Sequence, residues 1–235
     1  MDHKQASIAD RPTLWNSGHG YYHGIDMKDL IIAGAGGFGR EALILAKMLN
    51  EIEPRWNIKG FINDIPNALD GVKCSHSIIG TIKDWRPTEN EVFVMGVSSP
   101  NGKEIIANTL KAKGAKFVTL IHPLALISDY VEIGEGCIIG GRSSIGDNAI
   151  LGDFVHIAGS MIGQDAIIGD YSTTTGFANI TNAILGKRVF VGSHAVILNK
   201  LKVGDDAFVC AGSIVFNNIK AGTKVFGNPA KRMKF

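Results

Sequence analysis

Charge of one sign is missing from this chain. Among 235 residues, 24 Lys and Arg stand against 22 Asp and Glu, leaving +2. A surface this balanced makes no bulk field to recruit nucleic acid or an anionic membrane. Long apolar runs are missing too. None approaches the ~20 residues a spanning helix needs, so no membrane span is expected. Cysteine is scarce. Cys74, Cys137 and Cys210 lack the spacing of a metal site, and no metal is expected. Two of them occupy or adjoin apolar repeat positions, so structural thiols in a reducing cytoplasm are the expectation. Residues 1–26 lack both periodicity and an apolar core, which excludes a secretory signal there. They are expected to be a disordered upstream extension or a cloning-derived leader, in which His19 and His23 flanking two tyrosines are incidental.

What the second half has is a period of six. Aliphatic rungs fall at Ile127, Ile133, Ile139, Ile145, Leu151 and Ile157, slip by one to Ile162, and resume at Ile168. They slip again before Leu185 and continue through Val191, Ile197, Val203, Val209 and Val215. A glycine follows many rungs (Gly134, Gly140, Gly146, Gly163, Gly186, Gly192), and a small residue sits two before most (Cys137, Ser143, Ala149, Ala166, Ala195). Six suits neither an amphipathic helix nor an alternating strand. It marks a parallel β-helix of hexapeptides, with buried rungs and with glycine or a turn-tolerant polar residue opening each corner.

The first half reads as alternating strands and helices around a small parallel sheet. Asp29–Ala33 is a buried strand, Gly34-Ala35-Gly36-Gly37-Phe38-Gly39 follows at once, and Arg40–Ile52 is a helix. Strand, GxGxxG and helix in that order make a phosphate-binding turn, because glycine admits close approach and a helix N-terminus offers free N–H groups. Trp56–Ile62 is a second strand ending at Asn63-Asp64, near the offset of an acidic ribose contact. Val92–Met95 is a third, Pro100–Lys113 a helix, and Lys116–Ile121 closes the domain. The domain is too short for two mononucleotide-binding halves. A half-Rossmann domain holding one nucleotide is expected, rather than an NAD site, and no hydride-transfer residues stand out.

GAGGFGRE (34–41), GFIND (60–64), LIHP (120–123), the hexapeptide array and GNPAKRM (227–233) occur in this order. Together they resemble the NeuD/PglD-type bacterial sugar acyltransferases, over residues 27–235. The resemblance implies an α/β half-Rossmann domain (27–122) followed by an all-β left-handed parallel β-helix (123–235). It implies a homotrimer with globular domains at one end and acetyl-CoA as cosubstrate between neighbouring prisms. It also implies that Gly34, Gly36, Gly37 and Gly39 cradle the nucleotide of a UDP-sugar, that Asp64 contacts the uridine, and that the loop bearing Ser98 and Ser99 closes over the ligand. Asn182, Gly192, Lys231 and Arg232 fall in the acyl-CoA-binding parts. The family usually has two acids in the GFIND position, and the first is Asn63 here.

One departure bears on catalysis. The family's general base is a histidine followed by an acid; the matching pair here is Gln164-Asp165. Glutamine has no titratable group and cannot take the proton. Losing a positioned base typically costs ~10²–10⁴-fold in rate. The array is one residue short just before this pair and again at Thr181–Leu185, so both slips are expected on one face, reshaping the pocket there. His156 and His194 are expected to be outward-pointing surface residues off Gln164's face. Two readings follow: an acetyl-CoA-dependent acyltransferase of surface-polysaccharide synthesis with Gln164 and Asp165 at the acceptor site, or a non-catalytic accessory protein that binds the same ligands.

Overall fold

A computed structural model describes residues 27–233; the expectations for residues 1–26 lie outside those described. The chain opens with β1 (Lys28–Ala33), α1 (Gly37–Ile52), β2 (Trp56–Ile62), β3 (Ile78–Gly80), β4 (Glu91–Met95) and α2 (Pro100–Lys111). The four strands are parallel in the order β3-β2-β1-β4. β1 is central, and Leu30–Ala33 are buried, as expected for a strand covered on both faces. β3 was not legible, because three residues are too few to show a period. Helix α1 begins at Gly37, inside the glycine loop rather than after it. Pro100 stands in the first turn of α2, where its missing N–H costs nothing, and Ser99 caps that turn by accepting from Gly102 N at 3.4 Å.

From residue 120 the chain winds into a three-faced prism of two-residue parallel strands. In chain order, face one begins with Leu120–Ile121, Ile138–Ile139, His156–Ile157 and Thr173–Thr174. Face two begins with Leu126–Ile127, Ser144–Ile145 and Met161–Ile162. Face three begins with Glu132–Ile133, Ile150–Leu151 and Ile167–Ile168. The second residue of most pairs points inward, and these rungs form one continuous core with the small residues that precede them. Thr174 is a rung the aliphatic count missed; it is fully buried, with its hydroxyl donating to Ser160 Oγ at 2.9 Å.

The corner glycines work differently from the expectation. The left-handed conformation belongs to a later corner residue and is adopted by twelve non-glycines, among them Asn148, Asp165, Asn182 and His194. The glycine directly after a rung is needed because the next coil lies against it. A Cβ on Gly146 would stand 2.5 Å from Gln164 N, and one on Gly192 2.5 Å from Ala211 N.

The join between the halves comes earlier than the sequence suggests. Phe117 bridges to Phe93 in the α/β sheet, yet Leu120–Ile121 already pairs with Ile138–Ile139 on face one. The α/β domain also lies along the flank of the first coils. Leu120, Ile138, His156 and Thr173, the outward residues of face one there, are all buried. One apolar cluster joins Ile138 to Leu43, Ala46 and Leu30, and another joins Phe154 to Ile31, Phe93 and Leu110. A file of rings crosses the boundary: Phe93–Phe117 at 5.9 Å, Phe117–Phe154 at 4.9 Å edge-on, and Phe154–Tyr171 at 5.4 Å stacked. Phe154 and Tyr171 hold left-handed corner positions with φ 57° and 61°. An aromatic residue rarely accepts that conformation, and here ring packing at the docking edge compensates. Gly136 makes room, since a Cβ there would lie 2.5 Å from the Phe154 ring.

Candidate functional site

The glycine loop follows β1 at the carboxyl end of the sheet, the position where open α/β sheets receive ligands. Its glycines divide into two kinds. Gly34, at φ 113°, and Gly39 are demanded by the fold itself. A Cβ on Gly34 would stand 2.6 Å from Val97 Cγ2, and one on Gly39 would collide with the Gly34 carbonyl. Gly36 is different. It has φ −70°, which any residue adopts, and a Cβ there would meet nothing within 4 Å. Gly37 is nearly as open, with only the Arg40 guanidinium at 3.7 Å. Among the described residues no packing contact requires glycine at 36, and the space beside it adjoins the N–H groups of the first turn of α1.

Asn63 braces this loop by accepting from Ala35 N at 3.3 Å while its amide donates to Ile65 O at 2.8 Å. The second role needs a donor, which a carboxylate lacks. Asp64 accepts from Lys83 N at 3.1 Å, so one of its oxygens is engaged within the chain. Ser98 turns its carbonyl toward face one, where Thr173 Oγ1 donates to it at 2.7 Å.

Gln164 and Asp165 sit at the corner between faces two and three, exposed. Asn182 stacks on them from the next coil and donates to Asp165 Oδ2 at 3.4 Å. These three therefore come together. The other acyl-CoA candidates do not join them. Gly192 is at the corner between faces one and two, where the following coil explains it, and Lys231–Arg232 form an exposed antiparallel strand at the far end of face one. The two shortened corners are also separated. Ala158-Gly159-Ser160 lies between faces one and two, and Thr181-Asn182-Ala183 between faces two and three. They border face two at opposite edges rather than stacking.

His194 is exposed, off Gln164's corner, with its ring 5.2 Å from Phe177. His156 leaves the prism as expected but is not a surface residue. The docked domain covers it completely, its ring stacks on Phe38 of the glycine loop at 4.4 Å, and neither ring nitrogen has a protein partner. Burial, reinforced by the charge of Lys103, holds its pKa well below the usual histidine range. Lys103 is as deeply placed. Its ammonium donates to Phe154 O and Ser172 O, each at 2.8 Å, and burial pulls its pKa well below the ordinary lysine value. Burial likewise pushes the Cys137 thiol up to about 12, so it is an inert thiol. Sequence reasoning passed over Lys103 and Thr173. The available signal was the pair of large aromatics at corners 154 and 171, which marks the edge where something docks.

A prism of hexapeptides carrying an α/β domain on one flank is a fold this chain shares with solved acetyltransferase structures. No family model matches the chain. GDP-perosamine N-acetyltransferase of Escherichia coli O157:H7 is 28% identical over 213 residues, covering 86% of this chain and 95% of that protein. The acetyltransferase domain of PglB from Neisseria gonorrhoeae superposes with TM-score 0.80 at 24% identity, over 88% of this chain and all of that one. PerB from Caulobacter crescentus, solved with CoA and GDP-perosamine, superposes with TM-score 0.79 at 19% identity, over 88% and 97%. A 46-residue stretch is 50% identical to 2,3,4,5-tetrahydropyridine-2,6-dicarboxylate N-acetyltransferase of Staphylococcus aureus, but the match spans only 20% of this chain and 19% of that enzyme. The likeness read from the motifs therefore holds along most of the chain, and with it the left-handed sense of the β-helix.

Proposed function

We propose that the protein transfers an acetyl group from acetyl-CoA to the amine or hydroxyl of a nucleotide-linked sugar in surface-polysaccharide synthesis. The observation that carries this reading is Gly36, a glycine the fold does not need, beside a helix N-terminus and open to a ligand. That is the environment a diphosphate takes. The similarity to nucleotide-sugar N-acetyltransferases adds the reaction class. Gly34, Gly36, Gly37, Gly39 and Ser98 hold the nucleotide, with the free oxygen of Asp64 toward its base. Lys231 and Arg232 meet the CoA phosphates.

The glycine loop belongs to the domain on face one, whereas Gln164 stands at the corner between the other two faces. One chain therefore cannot bring its own sugar to its own Gln164, and a neighbouring copy must complete the site. Apolar side chains left exposed on those faces, Leu126 and Met161 on face two and Ile150, Ile167 and Ile184 on face three, suit burial in a cytoplasmic homotrimer.

In the reaction the lone pair of the sugar nitrogen attacks the thioester carbonyl carbon. A C–N bond forms, the C–S bond breaks, and CoA leaves as thiolate to take up the proton the nitrogen loses. Gln164 Nε2 and Asn182 Nδ2 are donors for the oxyanion. Neither accepts a proton, so an amine that arrives deprotonated is the better acceptor, and positioning supplies most of the acceleration. The absence of a base at 164 favours one alternative, an accessory protein that binds both ligands without turnover. Release of CoA thiol, measured with acetyl-CoA against a panel of UDP- and GDP-linked amino sugars, decides between them. Turnover with any member supports the enzyme, and ligand binding without release across the panel overturns it in favour of the accessory reading.

A further inference from the structure

The two loops assigned to the nucleotide are not held by their own domain alone. The glycine loop and the 96–99 loop are in backbone contact, since a Cβ on Gly96 would lie 2.5 Å from Gly34 O. Gly96 N also donates to Ala33 O at 2.8 Å. Neither loop can shift without the other. Both are then tied to face one of the prism. Thr173 Oγ1 donates to the Ser98 carbonyl at 2.7 Å. Lys103, four residues after the Ser99 cap, reaches across to the carbonyls of Phe154 and Ser172, which belong to successive coils at one corner. Phe38 of the glycine loop lies flat on His156, the residue paired with Thr173 in the sheet.

We propose that Thr173 and Lys103 are positioning residues for the nucleotide-sugar: the prism, through them, sets the shape of the loops that grip the ligand. The proposal rests on the reading of those loops as the nucleotide site. Among the described residues, Lys103 is fully buried with no carboxylate partner and two carbonyls to receive it. An apolar side chain would bury there more cheaply. What lysine adds is a fixed point on two coils at once, directly beneath the first turn of α2. Thr173 adds a second fixed point on the loop itself. Together they connect the grip on the nucleotide to the coils just before and alongside the Gln164 corner.

The sharpest test is a pair of substitutions at one position. Thr173→Val keeps the shape and removes the hydroxyl, while Thr173→Ser keeps the hydroxyl. Calorimetric titration with UDP, GDP and CoA is run on the full chain, with melting temperatures measured in parallel. Thr173→Val is expected to weaken whichever nucleotide binds wild type by ~3–10-fold, the range for one lost hydrogen bond. Thr173→Ser should bind within about twofold of wild type, and CoA affinity should be unchanged in both. Lys103→Met should weaken the nucleotide further if it folds. A Thr173→Val protein that melts lower yet binds nucleotide as wild type makes the residue merely structural and overturns the proposal alone. Equal loss of CoA binding overturns it too. Wild type binding neither UDP nor GDP overturns the nucleotide reading and the proposal together.

Discussion

The flank of the prism where the α/β domain docks and the corner that carries Gln164 are built in opposite ways. At the flank, Phe154, His156, Lys103 and Thr173 are buried, rings are stacked, and three separate contacts tie the ligand loops down. At the corner, Gln164 and Asp165 are exposed, and among the described residues their one side-chain hydrogen bond is the 3.4 Å contact from Asn182. The flank is therefore rigid by the chain's own packing. The corner has exposed side chains able to take new partners, which is what the proposed acceptor site, completed by a second copy, would require. Packing density thus separates the part proposed to hold a ligand in place from the part proposed to meet it.

The contrast is most severely tested at Phe154. Truncating a fully buried aromatic typically costs ~3–5 kcal/mol, and Phe154→Ala also frees the docking edge. Denaturant unfolding should show a loss of that size; a loss below ~1 kcal/mol would mean the flank is no better packed than the corner.

The corner should respond in activity instead. Gln164→His restores a proton acceptor beside Asp165, which is placed to orient an imidazole, and is expected to raise thiol release by up to ~10²–10³ with little change in stability. A variant that binds both ligands yet gains nothing across the acceptor panel would place the proton acceptor elsewhere.

Gly36 separates ligand from fold. A Cβ at position 36 meets nothing within 4 Å, so Gly36→Val should lower the melting temperature only by the modest cost of a poorer helix N-cap, while its side chain fills the space assigned to phosphate. Nucleotide affinity should fall on the order of tenfold or more, a cost of ~1.4 kcal/mol or above. Unaltered UDP and GDP affinities would remove the phosphate from that loop.

The smallest effect is one of pH. The folded-state pKa of His156 is depressed, chiefly by burial, so below the unfolded value of ~6.5 the unfolded chain binds the proton more readily. The stability contribution is complete above that pH and is lost as pH falls. Relative to His156→Phe, which keeps the stack on Phe38, wild type should lose up to ~1.4 kcal/mol per pH unit below ~6.5. Parallel stability curves for the two proteins between pH 7 and 5 would show that His156 takes up its proton as readily beneath the domain as in the unfolded chain, and would overturn the depressed pKa.

The period of six, the strand–glycine–helix order and the Gln164-Asp165 pair were all legible in the sequence, because each depends on spacing or identity along the chain. A buried rung must be aliphatic and must recur with the coil, so Ile133 through Val215 announced the prism and its length. Even there, Thr174 escaped, since a threonine that satisfies its hydroxyl inside the core reads as polar. The reason for each glycine was not legible. Gly34, Gly39 and Gly146 look the same as Gly36 on the page, and only the distance to the next coil or loop shows that three are forced by packing and one is open. Nor could spacing say that His156 would be covered, that the shortened corners lie at opposite edges of face two, or that Lys103 would cross to the prism. Those facts depend on which face the domain lies against, and docking is decided by long-range burial of Leu120, Ile138 and Phe154, with Tyr171 half-buried beside them, rather than by any local pattern. The sequence by itself determined the two architectures and their order, because hydrophobic periodicity is local. Only the tertiary structure decided how they meet, because burial between distant segments leaves no period in the chain.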